Sequence, residues 1–375
     1  MSLIPTTHVG SLPRPKALSA MLLAQEDGER IDPGAFEREL SAAVHDVVAR
    51  QVRAGIDIVS DGEMSKIAYA VYPKERLSGF GGQSKPRGAG PEVSDFPEWA
   101  KTRRQVMSKR PVCQGPVAVK DDAALRADLR HFREAVDAAK PAGAFLTAAS
   151  PGLIAYFMQD EYYHDHEKYL AAVAEAMRAE YEAIVAAGFD LQLDCPDLAL
   201  SRHLGYASDS DDEWKKKCEL AIEALNAATQ NISPDRMRLH VCWGNYEGPH
   251  HYDVPLAQVL PTVFKARPAA ISFEGANPRH EHEWEVFQTL RLPDEKKILP
   301  GVVDSTTNFI EHPRLIAQRI ERYANVVGKE RVVAGVDCGF ATTAEFSLID
   351  PAIVWAKLEA LAQGARIASE RLWAR

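Results

Sequence analysis

Eight short apolar segments, each running out into a polar or glycine-bearing corner, recur along this chain of 375 residues and alternate with longer amphipathic stretches. They span 6–11, 56–63, 144–150, 189–196, 238–244, 270–277, 298–305 and 331–340. Apolar residues at helical spacing predict helices over 35–54, 167–187, 212–229, 312–327 and 351–364. Strands that alternate with helices pair in parallel, because each helix returns the chain to the end where the previous strand began. The predicted fold is therefore α/β, a closed (β/α)8 TIM barrel, with an open doubly wound sheet as the alternative.

One interval breaks the rhythm. Between the second and third segments the chain takes far more residues than a crossover needs. That interval carries the Gly/Pro-rich run SGFGGQSKPRGAGP at 78–91 and a β-like PVCQGPVAVK at 111–120. Its apolar content is too thin for a separate core, so residues 1–375 read as a single barrel with residues 64–142 inserted between strands 2 and 3.

Charge and cysteine content narrow the function. With 44 basic and 53 acidic side chains the formal net charge is −9, which argues against nucleic acid as a partner. The opening residues lack a signal-peptide layout, and no apolar run reaches the roughly 20 residues that cross a bilayer, so a cytoplasmic protein without membrane contact is expected. Five cysteines (Cys113, Cys195, Cys218, Cys242, Cys338) are sparse and odd in number, which suits reduced thiols over a disulfide framework. No dinucleotide fingerprint or P-loop motif occurs.

In a barrel, all strand ends meet at one face, so polar residues far apart in sequence converge there. Read in order, those ends carry His8, Ser11, Asp61, Glu63, Asp194, His240, Cys242, Glu274, Asp304 and Cys338. His240 and Cys242 are two positions apart on one strand, on the same face and about 7 Å apart, within reach of one ion. Glu274 and Cys338 would complete one nitrogen, two sulfurs and one oxygen, a set that suits zinc. The plainer alternatives are a buried apolar role for a lone cysteine and a helix-capping role for a lone glutamate. Cys195 and Cys218 take the buried reading, and His164, His166, His250, His251, His280 and His282 read mostly as solvated surface, with His250 and His251 near the mouth.

The segments THVGSLPRP (7–15), DGE (61–63), LQLDCP (191–196), HVCWGN (240–245), SFEGAN (272–277), PGVVDSTTN (300–308) and GVDCGF (335–340) together resemble the cobalamin-independent methionine synthase family, in its C-terminal catalytic barrel and single-barrel members. The resemblance implies His240, Cys242, Glu274 and Cys338 as Zn2+ ligands. It implies a thiol amino acid lying against Val9, Gly10 and Ser11, its ammonium group held by Glu63 and Asp194. Asp194 and Asp304 are then the catalytic carboxylates, with His8 and Asp61 as further site candidates.

The implied activity is S-methyl transfer to homocysteine or a similar thiol, from a folate or a corrinoid-bound methyl. A metal with two thiolates and a carboxylate carries net negative charge, so it should keep a captured thiolate nucleophilic instead of acting as a strong Lewis acid. Glu274 is the ligand expected to leave when the thiol arrives. After Asp304 the chain continues Ser305-Thr306-Thr307, where the long synthases carry a histidine suited to protonating folate. Two alternatives stand beside this reading. One is an alkyl-thiol transferase of the epoxide:coenzyme M type, with Arg14, Lys66 or Arg87 binding a sulfonate or carboxylate. The other is a thiol- or metal-binding barrel without turnover. Expected partners are thus the small thiol and its donor, with a corrinoid protein and self-association as further options.

Overall fold

Six parallel strands follow one another across a single sheet: β1 (Ile58–Val59), β2 (Gly143–Ala149), β3 (Asp190–Asp194), β4 (Met237–His240), β5 (Ala270–Phe273) and β6 (Lys297–Pro300). The structure is a computed structural model that describes residues 3–84, 90–102, 110–345 and 347–374. Most strand residues are buried, as they must be in a parallel sheet whose outer face is covered by helices.

Both edges of this sheet are continued by backbone hydrogen bonds. At one edge the Ile58 amide donates to Thr6 O at 3.0 Å. At the other, Val333 N donates to Ile298 O at 3.0 Å and Gly335 N to Pro300 O at 3.1 Å. The two edge segments also bond each other, Thr7 N to Ala334 O at 2.9 Å and Ala334 N to Pro5 O at 2.8 Å. The arrangement is that of a TIM-type barrel. The last segment, expected as a strand over 331–340, contributes isolated bridges only, at Val332, Ala334 and Gly335.

The barrel interior is partly polar, and the charge at its centre is partnered. Arg238 lies over the Phe145 ring at 3.3 Å. Its guanidinium donates to Gln192 Oε1, Thr7 Oγ1 and His8 O at 2.7, 2.8 and 2.6 Å. A buried guanidinium with several acceptors and an aromatic face avoids most of the penalty of burying a charge.

Helices Pro33–Arg53, His166–Ala186, Asp211–Ala228 and Pro313–Val327 lie within a residue or two of the predicted ranges. Side-chain caps explain their starts: Asp165 accepts from Lys168 N, and Ser210 with Glu213 forms a capping box. The final helix runs Pro351–Trp373, past the expected end at Gly364. Gly364 faces the neighbouring helix, where a Cβ would lie 2.5 Å from Ile316 Cγ2 and 2.9 Å from Pro313 O. This glycine permits a close helix crossing and does not end the helix.

Within 64–142, Phe80–Gly81 pairs antiparallel with Val112–Cys113, in line with the β-like reading of 111–120. Helix Ala123–Ala139, which the spacing did not reveal, packs on Pro33–Arg53 and leads into β2, the place of a crossover helix. Val71, Tyr72, Leu77 and Cys113 belong to the same buried cluster as the strands and helices of the barrel. Among the described residues no helix is long and apolar enough to cross a membrane.

Candidate metal centre

Strand register brings the predicted donors together. Asp194 pairs with His240 across β3 and β4, and His240 with Ser272 across β4 and β5. Donor atoms of His240, Cys242 and Cys338 lie within 4.8 Å of one another, all three residues buried. The two sulfurs are 3.5 Å apart.

The state of His240 is the most telling feature. Its Nδ1 faces Ser272 Oγ at 3.2 Å, while Nε2 is buried with no partner. An imidazole nitrogen without a partner beside two thiols is a donor set that fits a thiophilic cation, and in the tautomer where Nδ1–H donates to Ser272 Oγ the Nε2 lone pair is free for one. Burial, with Arg238 next in effect, pushes the His240 imidazole down to about 3, so it is neutral, as a ligand must be. The Cys242 thiol is pushed up by its hydrogen bond to Cys338 and by burial.

Glu274 stands beside Cys242 but outside that trio. Its Oε1 accepts from Trp243 N at 2.9 Å and its Oε2 from Asn277 Nδ2 at 2.8 Å. Asn277 is in turn held by Asp337, whose carboxylate also accepts from the Gly275 and Ala276 amides at 2.8 Å each. Asp337 escaped the sequence reading, although a buried acid next to Cys338 in GVDCGF is the signal that would have found it.

Next to this trio lies an acidic pair. Glu63 sits in a left-handed conformation with φ 57°, after Gly62 at φ 68°, and this tight corner turns its side chain inward. Its Oε1 accepts from Thr147 Oγ1 at 2.5 Å and lies 3.6 Å from Lys66 Nζ. Asp194 is pushed up to about 7 by burial and then by Glu63. Its Oδ1 accepts from Gln192 Nε2 at 2.7 Å. Asp61, raised to about 6 chiefly by burial, caps the Glu63 amide at 2.9 Å and so shapes the corner.

Gly10 packs directly against Glu63 and its partner Thr147. A Cβ there would lie 2.6 Å from Thr147 Cγ2 and 3.5 Å from Glu63 Oε1, and its φ of 138° favours glycine. The Val9 carbonyl is taken by Gln192 Nε2. Ser11 packs on the loop after Cys338, accepting from Ala341 N at 3.4 Å. Tyr69, absent from the sequence reading, bridges the two halves: after burial, the nearby Cys242, Cys338 and Asp194 raise its phenol well above the ordinary range.

Other candidates are engaged elsewhere. His8 bonds Gln51 Oε1 at 2.7 Å through Nε2 and accepts from Gly10 N at 3.2 Å through Nδ1. Asp304 accepts from Thr306 N and Thr306 Oγ1 at 2.8 Å each and from Thr307 Oγ1 at 2.7 Å, closing its own loop. Arg14 donates to Ala341 O and Glu63 O at 2.8 and 2.7 Å, and Lys66 Nζ to Thr147 O at 2.7 Å. Arg87 lies outside the described residues. Contrary to the surface reading, His280 is buried, between Asp253 Oδ2 at 3.0 Å and Glu283 Oε2 at 2.7 Å.

The chain matches the cobalamin-independent synthase catalytic domain over residues 4–351. It is 26% identical to a methionine synthase of Sulfurisphaera tokodaii, over 99% of this chain and 94% of that one. It is 25% identical to a 2-hydroxypropyl-CoM lyase of Xanthobacter autotrophicus, over 98% and 96%. A B12-independent methionine synthase from Shewanella, solved in complex with selenomethionine, shares the fold at a TM-score of 0.76 and 22% identity, covering 100% of both chains. The chain belongs to the cobalamin-independent synthase family, and with it to the methyltransferases of methionine synthase type.

Proposed function

We propose that this enzyme methylates homocysteine or a closely similar amino thiol, within one closed (β/α)8 barrel whose second and third segments are separated by an insertion placed before the crossover helix Ala123–Ala139. Zn2+ is the metal we assign to His240, Cys242 and Cys338, with Glu274 as an exchangeable fourth ligand. The observation that carries the reading is the buried, unpartnered His240 Nε2 beside two thiols. Bound there, zinc would lower the pKa of an incoming thiol so that it is held as thiolate at neutral pH.

The chain's own groups do the rest. Glu274 has a second home in the Trp243 amide and Asn277, so it can leave a ligand position without becoming an unpaired buried charge. Glu63 and Asp194 repel each other, and a substrate ammonium placed between them would relieve that repulsion and draw Asp194 back toward full ionisation. Gly10 leaves room for the amino acid backbone, and Ser11 lines the route toward Cys338. In the reaction the thiol gives up its proton and gains an S–CH3 bond, while the donor's methyl bond breaks and its electron pair stays with the leaving group. Asp304 is the carboxylate we assign to the donor side. The donor is a folate or a corrinoid-bound methyl, the latter implying a corrinoid protein as partner and leaving self-association as a further option. A cytoplasmic setting suits five free cysteines.

A second reading, transfer of a thiol to another electrophile such as an epoxide, is favoured by the likeness to the lyase. Against it, Arg14 and Lys66 already have carbonyl partners and offer a sulfonate little. The test is a matrix of thiols (homocysteine, coenzyme M, cysteine) against methylfolate, methylcobalamin and an epoxide. Thioether formation from homocysteine and a methyl donor supports the proposal; turnover confined to coenzyme M with epoxide overturns it.

A further inference from the structure

Away from the thiols, a second set of buried donors converges. A carboxylate oxygen of Glu92, a ring nitrogen of His203 and a carboxylate oxygen of Asp253 lie within 4.8 Å of one another. The three residues are 2%, 5% and 4% exposed. Glu92 Oε1, Asp253 Oδ1 and both His203 ring nitrogens have no hydrogen-bond partner. His203 Nδ1 and Asp253 Oδ1 are 3.6 Å apart, too long for a bond between them. A buried polar atom without a partner has lost its water and gained nothing in return, and native folds rarely gather several in one place without an occupant.

The surroundings say what the occupant must be. Asp253 Oδ2 is saturated by His250 Nδ1 at 2.8 Å and His280 Nε2 at 3.0 Å. The far nitrogens of those rings face Tyr246 O at 2.9 Å and Glu283 Oε2 at 2.7 Å. All these partners are acceptors, so both rings donate at both nitrogens and only Oδ1 of Asp253 remains available. It confronts Glu92, a second carboxylate. Two carboxylate oxygens and the lone-pair nitrogen of His203 are three acceptors facing one point; a water has only two protons to give them, whereas a dication is held by all three.

We propose that Glu92, His203 and Asp253 form a second metal site, for a divalent cation that takes nitrogen and oxygen donors, such as Mn2+, Fe2+ or Zn2+. The site joins three chain segments. Glu92 lies in Pro91–Asp95, whose Asp95 also meets His251 Nε2 at 2.9 Å and Tyr252 OH at 2.8 Å. Gly90 approaches so closely that a Cβ would lie 2.6 Å from Leu204 Cδ2, next to His203. The cation pins residues 90–95 across the loop that follows the thiolate strand.

Titration of metal-free protein with Co2+ separates the two centres, because thiolate ligands give strong near-ultraviolet charge-transfer absorption and nitrogen/oxygen sites give only weak visible bands. A second equivalent that adds visible bands without thiolate absorption is expected. Glu92→Gln and His203→Ala should each abolish that equivalent and leave the thiolate absorption intact, and Cys242→Ser should do the reverse. Glu92→Gln preserves shape, and circular dichroism confirms its fold. Cobalt uptake confined to the thiolate type, or a weak-band equivalent that survives both Glu92→Gln and His203→Ala, overturns the proposal.

Discussion

Two corners of the barrel each hold a buried histidine whose pKa burial drives to about 3, His8 at the first segment and His240 at the end of β4. Around His8 every polar atom is answered. Gln51 accepts from the ring and from Ser60 N at 2.9 Å, and donates to Ser60 O at 2.8 Å and Val47 O at 3.0 Å. Around His240 one nitrogen is not. The same residue type at the same depth is therefore a brace in one corner and keeps a bare nitrogen in the other. Burial and pKa do not tell them apart; the count of unanswered atoms does.

The widest separation should come from Cys242→Ser. It should lower turnover by about 10⁴-fold or more, and remove the thiolate-type cobalt absorption, while the melting temperature of metal-free protein barely moves. Retained turnover would make the His240 corner a brace as well.

The His8 corner should instead show itself in acid. An unfolded imidazole titrates near 6.5, and folded His8 is depressed to about 3. Between those values the unfolded chain binds a proton that the folded chain refuses. Stability from this group is complete above about pH 6.5 and is lost as pH falls toward 3, on the order of 5 kcal/mol in all. Urea melts across that range should show a shallower acid slope for His8→Gln than for wild type.

Gln51→Ala leaves the His8 N–H and both Ser60 backbone groups unanswered, so a loss of about 3 kcal/mol is expected from denaturant melts, with the metal stoichiometry of the folded fraction unchanged. Asp194→Asn should raise KM for homocysteine by about 10²-fold and leave a thiol without an amino group unaffected, which separates ammonium binding from a general electrostatic effect. Smallest is Ser272→Ala: losing the partner of His240 Nδ1 should weaken metal affinity by about tenfold with no measurable change in fold.

Much of this was legible in the chain, for identifiable reasons. Six of the eight segments form the strands of the sheet, and the first and last add isolated bridges, because a buried parallel strand must be apolar and must end where backbone groups need polar or glycine partners. His240 and Cys242 share a face by strand geometry alone. The long helices could be placed through their period, to within a residue or two at most ends. Gly364 misled because a glycine in a close helix crossing and a glycine that ends a helix look alike along the chain. The helix Ala123–Ala139 was hidden inside the long irregular interval.

The sequence by itself determined the residue types at the strand ends and their order, and with them the prediction that two sulfurs and an imidazole would meet. Only the tertiary structure decided which polar atoms were left without partners. It answered both nitrogens of His8 and left Nε2 of His240 bare. It gave Glu274 a resting place on Trp243 and Asn277, and it buried His203, Asp253 and Glu92 together from three distant segments. The reason is physical: periodicity reports which face a residue occupies, whereas hydrogen-bond satisfaction depends on neighbours brought in from elsewhere, and no local pattern encodes them.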